Sequence, residues 1–79
     1  MTTFEQLRSV IADTLGVPEQ SIFETSDSNS ISVWDSIGHV NLMMALEQTF
    51  DVQLDVEIFP QLTSVESILT YLREQGVAG

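Results

Sequence analysis

From Phe4 onward the apolar side chains fall at Leu7, Val10, Ile11 and Leu15, spacings that gather them on one face of a helix. Thr3 with Gln6 has the form of a capping box. Gly16 suits the left-handed position past a helix end, and Pro18 forbids continuation. Residues 17 to 35 then lose all sustained periodicity and carry Pro18, Asp27, Ser28, Asn29 and Ser30, which predicts a long loop. Ile22, Phe23, Ile31, Val33 and Trp34 are the side chains expected to pin that loop to a core. Periodicity resumes over Ser36 to Phe50, where a helical turn of about 100° per residue separates two apolar stripes. Leu42, Leu46 and Phe50 make one, with His39 and Met43 at its edges. Ile37, Val40 and Met44 make the other, bordered by Asn41, Glu47 and Gln48. The first stripe is core. The second is core if the helix sits centrally in a bundle, or a docking strip if it faces outward.

Beyond Phe50 the pattern shortens. Val52 and Leu54 read as anchors in a loop, and Asp55 to Phe59 as a short helix capped by Asp55 and stopped before Pro60. Alternation over residues 52 to 58 also permits a strand, but no second strand exists to pair with it. Thr63 with Glu66 forms a capping box that opens a last helix burying Val65, Ile68, Leu69 and Leu72, closed by Gly76 and followed by a frayed tail, Val77-Ala78-Gly79. The fold expected is all-α: a single domain over residues 1–79, a small four-helix bundle with a long loop between the first and second helices and a short third helix.

Charge narrows the partners. Two basic against twelve acidic side chains leave a formal charge of -10, spread from Glu5 to Glu74, so nucleic acid and anionic membranes are disfavoured. Basic protein surfaces and divalent cations are favoured, against the plain alternative of a solvated acidic surface. Arg8 and Asp13 lie off the core stripe of the first helix and read as solvated charges. No cysteine is present, so any thiol chemistry must come from an added group. No segment approaches the length of a membrane span, and the expectation is a cytoplasmic monomer.

The candidate chemistry gathers at Trp34-Asp35-Ser36-Ile37-Gly38-His39. Catalysis is disfavoured: on a helix Ser36 and His39 stand about 60° apart around the axis, with no third group to hold the imidazole and no oxyanion loop. His39 is the only histidine, so no metal centre can be assembled from scattered carboxylates, and an EF-hand loop beginning at Asp27 fails because Ser32 and Gly38 stand where Gly and Glu are required. Ser36 remains as an N-cap, the commonest role of a serine there. The same geometry offers a second role, because the positive end of a helix dipole favours a phosphate esterified to that serine.

The run Asp35-Ser36-Ile37 between a long loop and an acidic apolar helix, the segment Val40-Asn41-Leu42-Met43-Met44-Ala45-Leu46-Glu47 with Phe50-Asp51 after it, and the Thr63-x-Val65 start of the last helix together resemble the acyl carrier proteins over nearly the whole chain. The resemblance implies that Ser36 carries phosphopantetheine, transferred from coenzyme A by a phosphopantetheinyl transferase, with acyl groups held as thioesters on the arm. It places Asp35 near the basic surface of the transferase and makes Asp35, Ile37, Val40, Met44 and Glu47 the partner-docking residues. It implies no catalytic and no metal-binding residue. The implied partners are the transferase, an acyl- or aminoacyl-loading ligase, and synthase or acyltransferase enzymes with basic docking surfaces, in fatty acid, polyketide or related biosynthesis. The alternatives are a peptidyl or aminoacyl carrier, and an acidic helical interaction module without a prosthetic group. Ile37 stands where leucine is usual, Gly38-His39 replace acidic and hydroxyl residues, and Asn41 replaces an acid. With Trp34, these departures look more like a stand-alone carrier for a specialised pathway.

Overall fold

The first helix, α1, spans Thr3–Leu15 and lays Leu7 and Ile11 fully into the core, with Phe4, Val10 and Leu15 packed against its margin. A computed structural model describes residues 3–77, and Thr3, expected as the cap, is already helical in it; the cap position lies outside the described residues. The C-terminal end follows the sequence closely. Gly16 takes φ +70°, and the Val17 amide donates to the Ala12 carbonyl at 3.1 Å, the six-to-one bond of a left-handed glycine stop.

The loop is less irregular than its composition suggests, since Glu19–Ser21 close a 3-10 turn. Of its expected plugs, Ile22, Ile31 and Trp34 are buried, whereas Phe23 and Val33 are exposed. Two of the buried plugs lie beside turns that the backbone closes itself: the Ile22 amide donates to the Glu19 carbonyl and the Ile31 amide to that of Asp27. Polar backbone is thereby paired where apolar side chains go in. Asp27 organises the next turn, its Oδ1 accepting from the Asn29 and Ser30 amides at 3.0 and 2.9 Å. The loop is then clipped to the start of the last helix by a two-bond antiparallel bridge. Ser28 donates to the Thr63 carbonyl and Val65 donates to that of Ser26, both at 2.9 Å.

The central helix, α2, spans Ser36–Phe50, and its expected core stripe holds: Leu42, Met43 and Leu46 are buried, with His39 and Phe50 half-buried beside them. Helix α2 packs chiefly on α1. It ends at Asp51, a non-glycine residue in the left-handed region at φ 55°, where aspartate is among the better tolerated side chains. Glu47 turns back over this end, its Oε2 accepting from the Leu54 amide at 3.0 Å.

The short helix after α2 is a 3-10 segment, Val56–Gln61, and it contains Pro60 instead of stopping before it. Proline's fixed φ suits a 3-10 turn, and its missing N–H costs little in so short a run. Asp55 holds the cap position without a side-chain hydrogen bond. The last helix, α3, spans Val65–Glu74 and buries Val65, Ile68, Leu69 and Leu72 as the spacing predicts. Its capping box is shifted by one residue from the expected Thr63 and Glu66. Ser64 is the cap and Ser67 the reciprocal partner, and the loop bridge sets this cap residue opposite Asp27 while the Thr63 carbonyl accepts from the Ser28 amide. Gly76, at φ +86°, ends the helix with Val77 donating to Leu72 and Gly76 to Arg73. Val77, expected to fray, is therefore held and packs on the core; Ala78 and Gly79 lie outside the described residues.

Arg8 also departs from expectation. Its guanidinium lies over the Phe4 ring, 5.4 Å from the centroid, and its Nε approaches Glu19 to 3.9 Å, so it is not simply solvated. So little basic charge cannot offset twelve acids. Raising sodium chloride or magnesium chloride in a thermal melt is expected to increase Tm by roughly 5 °C, on the scale of 4–8 °C per kcal/mol for a domain this size, as screening relieves self-repulsion. A melting curve indifferent to both salts would show that the acids do not act together.

Candidate functional site

The site begins where the loop turns into α2. Asp35 is the N-cap, with extended backbone and Oδ1 accepting from the Gly38 amide at 2.8 Å, and the helix's own ladder starts with His39 donating to the Asp35 carbonyl. The expected cap, Ser36, is displaced by one position: it is the first helical residue, its side chain exposed and not needed for capping. Aspartate caps as well as serine does, and a negative charge gains from the helix dipole there. Ser36 is thereby left available, at a helix N-terminus where a phosphoryl group is electrostatically favoured.

Gly38 and His39, undeciphered in sequence, explain how this junction is held. A Cβ on Gly38 would stand 2.7 Å from the Val33 carbonyl oxygen, 3.0 Å from Leu15 Cδ2 and 3.3 Å from Asp35 Oδ1. The loop can descend so closely onto α2 only because residue 38 has no side chain. His39 then uses both ring nitrogens. The Trp34 indole N–H can only donate, so His39 Nδ1 accepts it at 2.9 Å, and Nε2 carries the proton it donates to the Phe59 carbonyl at 2.7 Å. The imidazole sits 6.2 Å from both the Trp34 and Phe59 ring centroids, nearly stacked on the first at 29° and edge-on to the second at 87°. One histidine thus ties the loop, α2 and the 3-10 segment together directly behind Ser36.

Substituting Gly38→Ala tests the close approach. Overpacking against a backbone oxygen costs about 1–3 kcal/mol, offset by about 1 kcal/mol of better helix propensity. A net loss of about 1 kcal/mol is expected in urea denaturation, and equal or greater stability would show that the loop yields freely.

Around the junction the second stripe of α2 faces outward. Ile37 is 75% exposed, Val40 45% and Met44 48%, and Val56 of the 3-10 segment is 77% exposed. Of the residues expected beside them, Asp35 is exposed and engaged as the cap, while Glu47 is half-buried with one carboxylate oxygen on the Leu54 amide. A cavity of about 270 Å³ opens beside Ser36, lined by Ser28, Trp34, Asp35, His39 and Thr63 as well. Ser28 and Thr63 carry no sequence signal for this role, being brought to the site only by the loop bridge. Among the described residues no cluster of His, Asp and Glu could hold a metal ion, and no helix is long and apolar enough to cross a membrane.

Comparison with known proteins places the chain in a family. Residues 5–72 match the family model described as the phosphopantetheine attachment site. An acyl carrier protein of Clostridium acetobutylicum is 34% identical over 71 residues, covering 89% of this chain and 91% of that protein. The chain belongs to the acyl carrier protein family, whose prosthetic group is phosphopantetheine.

Proposed function

We propose that Ser36 is the attachment residue and that the protein carries acyl intermediates, as thioesters on a phosphopantetheine arm, between the enzymes of a fatty acid, polyketide or related pathway. The observation that carries this reading is Ser36 itself: exposed, first in α2, and relieved of capping by Asp35, within the stretch matched by the family model. The bound group supplies the thiol that this cysteine-free chain lacks.

The chain's own residues hold and present the serine. Asp35, Gly38 and His39 fix the turn into α2, so that the hydroxyl stands clear of the core for a phosphopantetheinyl transferase. Ile37, Val40 and Met44 form an apolar strip for docking on successive partners: the transferase, an acyl- or aminoacyl-loading ligase, and synthase or acyltransferase enzymes. Asp35 supplies charge at the head of that strip. Glu47 supplies charge at its border while one oxygen braces Leu54. Basic partner surfaces would be steered by this pattern, with specificity residing in the charges and affinity in the apolar contact. The replacement of acidic and hydroxyl residues by Gly38-His39, and of an acid by Asn41, supports a carrier for a specialised pathway.

Incubation with coenzyme A, magnesium and a broad-specificity phosphopantetheinyl transferase should raise the protein mass by one phosphopantetheinyl group. An unchanged mass would sink the attachment reading. Parallel incubation of the modified protein with acyl- and aminoacyl-activating ligases would then identify the class of cargo.

A further inference from the structure

The cavity beside Ser36 has a composition that the attachment reading does not use. It is lined by two ring-bearing residues, Trp34 and His39, two hydroxyl-bearing residues, Ser28 and Thr63, and by Asp35 and Ser36. These walls are braced: Ser28 and Thr63 by their backbone bond, Trp34 and His39 by the side-chain bond from indole to imidazole, and the ring of His39 again by the Phe59 carbonyl. At about 270 Å³ the space lies below the usual range for a pocket that encloses a whole ligand of drug size, so it suits a fragment of one. A group tethered to Ser36 reaches it first with the part nearest the phosphate. In phosphopantetheine that part is the pantoyl unit, a quaternary carbon bearing two methyl groups, followed by a hydroxyl and an amide.

Building on the proposal that Ser36 bears the arm, we infer that this cavity is a seat for the pantoyl portion of the arm. The gem-dimethyl group rests against Trp34 and His39, and the hydroxyl and amide meet the hydroxyls of Ser28 and Thr63. Apolar branch and polar flank match the mixed lining, and the rigid bracing gives the seat a fixed shape in the absence of the arm. The acyl or aminoacyl cargo, at the far thiol, stays outside this seat. Trp34 and His39 therefore orient the root of the arm and do not select the cargo.

The test uses the intact holo-protein, with mass spectrometry as its first readout and NMR as its second. In holo-protein that shows the full mass gain, nuclear Overhauser contacts are expected from the two methyl groups to the Trp34 and His39 ring protons. The Ser28 and Thr63 amide resonances should shift relative to apo-protein. The double variant Ser28→Ala, Thr63→Val keeps the backbone bridge and should retain the mass gain and the circular dichroism of the parent while losing the methyl contacts. Full mass gain with no methyl contacts, and shifts confined to residues 35 to 37, overturns this inference and leaves the attachment reading intact. Unaltered contacts in the double variant overturn the role given to the hydroxyls. Failure of the mass gain in the parent overturns both.

Discussion

Ser36→Ala is expected to abolish phosphopantetheinylation completely while leaving the folding free energy within about 0.5 kcal/mol of the parent, the range typical of surface substitutions away from caps and core. The two halves of this result separate two roles that coincide in sequence. A capping serine replaced by alanine loses about 1 kcal/mol, within a range of 0.5–2. The structure assigns that role to the neighbouring residue: Asp35 Oδ1 accepts the Gly38 amide at 2.8 Å, and Ser36 is the first residue inside the helix. Asp35→Ala should therefore lose about 1 kcal/mol in urea denaturation yet still accept the prosthetic group, at a lower rate if the transferase presents a basic surface to it. Mass spectrometry after transferase treatment reads the first property and denaturation the second. A Ser36→Ala protein that still gains mass would place the attachment elsewhere, and one that loses 1 kcal/mol or more would restore the serine as a cap.

The one-residue displacement at Asp35 and Ser36 has a counterpart at Ser64, and both show what a sequence pattern can and cannot fix. Helix faces were legible because burial follows period: Leu7 and Ile11, Leu42 and Leu46, and Ile68 and Leu72 all lie where spacing places them. Gly16 and Gly76 were legible because a left-handed stop favours glycine. Caps were less so, since two adjacent residues of capping type differ little in intrinsic preference. At α3 the cap is Ser64, which the bridge sets opposite Asp27, a partner 37 positions away that no local pattern announces. The loop's plugs were read from hydrophobicity alone, which cannot tell Val33, whose carbonyl meets Gly38 while its side chain stays exposed, from its buried neighbour Trp34. The site was legible as a serine in a favourable field. Its support was not, because Gly38 and His39 act through contacts with Val33, Trp34 and Phe59 that exist only once the loop has folded back.

That support carries the largest expected stability effect. His39→Ala deletes the acceptor for the Trp34 indole N–H and the donor to the Phe59 carbonyl, at 2.9 and 2.7 Å. Trp34 is only 2% exposed, so its N–H has little recourse to water. Each buried group left unpaired costs about 1–3 kcal/mol, which puts the expected loss at roughly 2–4 kcal/mol for the pair, since part of the Phe59 carbonyl's demand can be met by solvent. Against a total of roughly 4–12 kcal/mol for a chain of this length, that is a substantial fraction, and Tm should fall by about 10–20 °C. His39→Gln separates the hydrogen bonds from the bulk of the ring: an amide offers one acceptor and one donor group, so partial recovery is expected, whereas His39→Leu restores volume without either bond and should recover less. The single tryptophan gives an independent reading, because loss of the His39 bond changes the indole's environment and moves its fluorescence in His39→Ala and His39→Leu more than in His39→Gln. If leucine were to restore stability as well as glutamine does, the junction behind Ser36 would be held by packing alone. The hydrogen-bonded chain from Trp34 through His39 to Phe59 would then not be what fixes the turn into α2.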